Sequence, residues 1–143
     1  MSEFGEEKII YLGMVQNTID RMSANSAILK GFAATVVTGI SAISFTDISK
    51  WVLLLSIIPV FSFLSLDLYY LALERRFRYL YNQIRDSNKV VNFSMETEIP
   101  KDEQPNANAR LRDCFLSPSI WLFYSPIIMV VVSIIILKFL CVI

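Results

Sequence analysis

The chain has 143 residues, 55% of them hydrophobic and 18% charged, with 13 basic side chains against 13 acidic ones and no histidine. A mean hydropathy of +0.52 excludes a soluble globular domain and describes an integral membrane protein. Two cysteines and no histidine leave no basis for a zinc site or for a Ser/His or Cys/His nucleophile, so neither an enzyme nor a cofactor is expected.

Met1 to Glu7 is acidic and the first apolar run starts well into the chain, so a cleavable signal peptide is not expected. Over residues 1–26 the pattern is a cytosolic amphipathic helix: Leu12, Val15, Ile19 and Met22 recur at three and four positions, with Gln16, Asn17, Asp20 and Arg21 on other faces. Such a stripe either lies in the headgroup plane or packs against copies of itself below the membrane. With no proline before Phe45, the helix is expected to enter the membrane as one rod.

Residues 27–73 read as a transmembrane hairpin. Gly31 to Phe45 carries no charge, Trp51 to Leu73 carries only Asp67, and the polar tip at 46–50 forces the two helices to run antiparallel. Counted from Ile48, Lys30 lies 18 positions back and Asp67 lies 19 forward, which puts both charges at nearly one depth. An ionised carboxylate alone in lipid costs roughly 3 kcal/mol on insertion scales. Asp67 is therefore expected to face Lys30 or Arg21, either as a structural pair or as part of an ion path or its gate. In the first helix Ala27, Gly31, Thr35 and Gly39 form a row of small residues suited to close helix packing. Alternatively Thr35, Thr38 and Ser41 line a narrow polar path at the centre of an oligomer. Pro59 is expected to kink the second helix.

Helical periodicity continues past Tyr70 to Asp86, so residues 74–118 open with a cytosolic basic helix. Leu73, Phe77, Leu80 and Ile84 make its apolar stripe, while Arg75, Arg78, Asn82, Arg85 and Lys89 fall on another face. This face either meets anionic headgroups of the lipid bilayer or grips a phosphate-bearing ligand. Ser87 and Asn88 stop the helix, and the two-residue alternation from Val91 to Ile99 predicts one short cytosolic strand, which either pairs with a neighbouring subunit, the favoured outcome, or packs as an extended arm, unless the alternation does not mark a strand at all. Residues 100–108 read as a loop and 109–116 as a short interfacial helix. Pro118 suits a helix start, and residues 119–143 hold the third transmembrane helix, with Lys138 snorkelling outward. The expected fold is thus an all-α integral membrane protein with three transmembrane helices, the first two extended into the cytosol. Eleven of the 13 basic residues then lie on the N-terminal side, which puts the N-terminus in the cytosol and the C-terminus outside, with Cys114 and Cys141 on opposite faces.

The run Gln16-Asn-Thr-Ile-Asp-Arg-Met-Ser-Ala-Asn-Ser-Ala-Ile-Leu-Lys-Gly31, together with Leu66-Asp67, Glu74-Arg75, Phe77, Leu80-Tyr81 and Asn92-Phe-Ser-Met95, resembles small three-span membrane effectors of bacterial anti-phage operons, the Hailong-type channel effectors in particular. The resemblance implies a homotetrameric channel of the bacterial inner membrane, a homo-oligomer that depolarises the infected cell. It also implies control by single-stranded DNA oligomers, a nucleotide signal made by a partner nucleotidyltransferase. Pore-lining or gating candidates are Thr35, Thr38, Ser41, Asp67 and Lys30. Candidate ligand-binding residues are Arg75, Arg76, Arg78 and Arg85, with Arg21 from the shared signature; no metal site is expected. The alternative is a non-conducting membrane anchor or scaffold that recruits a partner protein.

Overall fold

A computed structural model describes residues 3–44, 46, 50–55, 57–86, 92–97 and 111–140. Its helices are α1 (Glu3–Ser44), α2 (Lys50–Leu55), α3 (Ile57–Asp86), α4 (Leu111–Phe115) and α5 (Pro118–Phe139). The tip at 47–49, the helix stop at 87–88, Lys89, the loop at 100–108 and Cys141 lie outside the described residues. Three helices, α1, α3 and α5, are long and apolar enough to cross a membrane, and the chain is a membrane protein.

α1 is a single helix of 42 residues, and its polar N-terminal half passes into its uncharged half without a break. No proline interrupts it, and its glycines are isolated, so the backbone ladder is complete. Its inward-facing positions repeat every 11 residues: Tyr11, Met22, Ala33 and Ser44 in one row, Val15, Ser26 and Val37 in a second, Ile19, Lys30 and Ser41 in a third. Eleven residues make just over three full turns, so the seam drifts by only about 20° per repeat. One face of α1 therefore stays against α3 from end to end.

Three apolar clusters stack along that seam. Tyr11, Val15 and Ile19 of α1 pack on Phe77 and Ile84 of α3. Ala33 and Leu64 then meet Ile120 and Tyr124 of α5. Val37, Val60 and Val131 fill the far end. The amphipathic stripe of α1 is thus covered by its own chain's second helix, whereas the sequence pointed to headgroups or to other copies. The physical reason is the antiparallel hairpin, which carries both amphipathic extensions out of the membrane side by side.

The second span comprises α2 and α3, with residue 56 outside the described residues. Pro59 falls in the first turn of α3, where a missing N–H costs little. Ser117 has extended geometry (φ −66°, ψ 134°) and Pro118 follows it at the start of α5. At the far end of α5 the Lys138 ammonium donates to the carbonyls of Ser44 (3.3 Å) and Thr46 (3.0 Å). It caps the C-terminus of α1, where the helix dipole favours a cation.

The strand expected over Val91 to Ile99 is not formed in its described part, residues 92–97, which take part in no ladder. Phe93 has φ 51°, a left-handed conformation that breaks the two-residue alternation a strand needs. Local bonds replace the ladder: the Ser94 N–H donates to Asn92 Oδ1 at 3.2 Å and the Glu96 N–H to Ser94 Oγ at 3.4 Å. The Tyr11 hydroxyl donates to the Ser94 carbonyl, and its ring lies 5.4 Å from that of Phe93. The segment is a strap on the hairpin, held by α1.

Candidate functional site

Between the Tyr11–Phe77 cluster at the N-terminal end of α1 and the Ala33–Tyr124 cluster sits a polar node. Asp67 of α3 is fully buried, and Lys30 of α1 places its ammonium 2.6 Å from Oδ2, with 19% of the lysine side chain exposed. The same ammonium donates to Ser26 Oγ at 2.8 Å, and Ser26 in turn donates to Asp67 Oδ1. Ser26 and Lys30 are one turn apart, so both reach the carboxylate from one face of α1. Oδ2 is engaged by charge and not by an aligned hydrogen bond. Lys30, and not Arg21, is the partner of Asp67; Arg21 is exposed nine residues away.

Tyr124 is a member of the node that sequence spacing alone does not single out. It is 1% exposed and faces Asp67 from α5, yet its hydroxyl makes no formed hydrogen bond. The node therefore draws on all three spans. A signal for it exists in the numbering: 14 residues separate Lys30 from Ser44, and 14 separate Tyr124 from Lys138. α1 and α5 run parallel, so the Lys138 cap at one end puts Tyr124 at the depth of Lys30. Nothing in the local pattern around Tyr124, a tyrosine among apolar residues, marks it as polar machinery.

Burying a charge pair is costly, and the mutual attraction repays that cost only when geometry and added hydrogen bonds are good. Here the serine supplies the added bond. Removing either charge strands the other in a medium that cannot solvate it.

Thr38 and Ser41 line an open groove of about 260 Å³ with Ala34, Val37, Pro126, Ile127 and Val130, whereas Thr35 stands outside it on the exposed face of α1. Each hydroxyl donates to the carbonyl one turn back: Thr35 to Gly31 at 3.0 Å, Thr38 to Ala34 at 2.9 Å and Ser41 to Val37 at 2.8 Å. The oxygen lone pairs stay available, so these residues can present acceptors without leaving a donor unpaired.

The basic residues do not converge on one point. Arg78 is held by Glu74 at 2.8 Å and Arg85 by its neighbour Asp86 at 2.8 Å. Lys8 donates to the Arg85 carbonyl at 2.9 Å and closes the end of the hairpin. Arg75 and Arg76 lie instead where α3 meets α4, beside the buried Cys114, whose thiol pKa burial pushes up and the two guanidiniums pull down less strongly. No known family, characterised protein or solved structure matches the chain.

Proposed function

We propose that the protein is an oligomeric membrane effector: a ligand-gated ion channel that acts in anti-phage defence by depolarising the inner membrane under control of a nucleotide or DNA-oligomer signal. The observation that supports this reading most directly is the Lys30–Asp67 pair at the junction of three spans, since ionisable residues inside a membrane are expensive and belong chiefly to ion paths and their gates. One turn further along α1 begins the hydroxyl-bearing face with Thr35 and Thr38, which a single chain leaves exposed. Copies that bring these faces together, four of them on the effector resemblance, would enclose a narrow path lined by acceptor oxygens. Opening then requires the inner ends of the spans to shift, and the node is where they are tied. Arg75, Arg76, Arg78, Arg85 and Arg21 are the residues for a phosphate-bearing signal in this reading.

Potential-sensitive dye fluorescence after expression, and ion flux from reconstituted liposomes, test it. Wild type should dissipate the potential, and Asp67→Asn should change the flux while the protein remains inserted. Absence of flux in both assays overturns the channel reading.

A second reading, a non-conducting anchor that recruits a partner, is favoured by the complete burial of Asp67, which faces protein on every side. On that reading Asp67→Asn lowers stability and leaves the membrane potential untouched.

A further inference from the structure

We infer that the corner where α3, α4 and α5 meet holds the phosphate headgroup of an anionic phospholipid in the leaflet on the N-terminal side, gripped by Arg76 and Arg112. The inference rests on the chain's being a membrane protein and is independent of whether it conducts.

Depth carries the first part of the argument. The 14 residues between the Lys138 cap and the node span roughly 21 Å along α1 and α5. A hydrocarbon layer of roughly 30 Å then extends about 9 Å past the node. Nine residues past the node, roughly 13 Å, α1 has reached Arg21 and α3 has reached Arg76, while α5 begins at Pro118, six residues or roughly 9 Å before Tyr124, with α4 directly preceding it. Three segments thus arrive together just outside the acyl chains, at phosphate level.

The surface at that level is built for an interface and not for water. Leu111 (63% exposed), Phe115 (41%), Leu116 (62%) and Trp121 (46%) face outward, while Cys114, Ser117 and Ile120 face inward. Phe115 and Trp121 meet edge to face with centroids 5.5 Å apart, the kind of aromatic pair that settles at a membrane boundary. α4 so placed is a short amphipathic segment lying in the headgroup plane.

Charge gives the headgroup its sign. Arg76 on α3 and Arg112 on α4 are both exposed and form no ion pair among the described residues; Arg76 is near enough to buried Cys114 to act on its thiol, and Arg112 stands two residues before that cysteine on α4. Arg78 and Arg85, by contrast, already have carboxylate partners. A guanidinium beside an apolar rim suits a phosphodiester whose acyl chains continue over Phe115 and Trp121.

Trp121 is the reporter for the test. In full-length Trp51→Phe protein it is the remaining tryptophan. Its quenching in phosphatidylcholine vesicles containing brominated phosphatidylglycerol is compared with quenching by brominated phosphatidylcholine at equal mole fraction. The expected result is a preference for the anionic lipid of roughly fivefold per arginine. That preference should be lost in R76Q/R112Q and kept in R78Q. Equal quenching by the two lipids, a preference that survives R76Q/R112Q, or one that R78Q removes equally, overturns the assignment. If R76Q/R112Q fails to insert, about 0.5 M salt on the parent protein gives the same reading: the preference should fall, and its persistence overturns the proposal.

Discussion

Replacing Lys30 by methionine strands the Asp67 carboxylate, which is fully buried and whose other oxygen has only Ser26. The expected loss is about 3–5 kcal/mol, and Asp67→Leu alone strands the ammonium for a similar or smaller loss because Lys30 retains some exposure. The double variant should recover most of the stability, since an apolar pair of matching volume carries no desolvation cost. Reversible unfolding in mixed micelles measures the cycle, and additive losses would mean that the two charges do not act as a pair. Tyr124→Phe has a different sign: its buried hydroxyl lacks a formed hydrogen bond, so removing it should change stability by less than about 1 kcal/mol, toward greater stability. The Lys30–Asp67 contact was legible by counting from the hairpin tip, because a short turn fixes depth. Tyr124 was not, because its depth follows from the Lys138 cap, an end-to-end contact that no local spacing announces. Cys114 adds a pH dependence. Burial holds its thiol pKa above the ordinary 9.0, so the native state keeps the proton longer than the unfolded chain does. The stability this contributes is complete below pH 9.0 and is lost as the pH rises through the raised value. Cys114→Ala should flatten that alkaline slope in thermal melts, and alkylation of Cys114 near neutral pH should be slow until detergent unfolds the chain.

At the scale of elements, both halves of the hairpin's extension beyond the membrane were visible as apolar stripes, Leu12, Val15, Ile19 and Met22 on α1 and Leu73, Phe77, Leu80 and Ile84 on α3. What periodicity does not contain is that each stripe is the other's cover; a stripe states which face is apolar, not what will hide it. The segment at 92–97 shows the opposite failure. Its alternation is real in the sequence, but a lone strand has no edge to bond, and the polar side chains at 92 and 94 offer the backbone nearer partners. The Tyr11 hydroxyl is the anchor of that strap. Tyr11→Phe should therefore release residues 92–97 while leaving the Tyr11–Phe93 ring contact available, seen as faster amide exchange and faster proteolysis in this segment with little change in global melting. Uniformly faster exchange along α1 would show instead that Tyr11 matters mainly as core.

On the scale of the whole molecule, the division of the sequence at 26/27 and at 73/74 marks a change of surroundings and not a joint, because α1 and α3 cross those positions as continuous helices. Depth and span count could be read from hydropathy, since the solvent imposes them. How α5 seats on the hairpin could not, since its middle is uniformly apolar and any face would suit lipid. The 11-residue seam has a mechanical corollary. α1 is roughly 63 Å long, about twice the thickness of the acyl layer, and its unbroken ladder makes it a shaft that passes torque from outside the bilayer to the Thr35 face. One alanine inserted after Ser23 would twist the two halves of that shaft by about 100° against each other, so that either the Tyr11–Phe77 cluster or the charged node must come out of mesh.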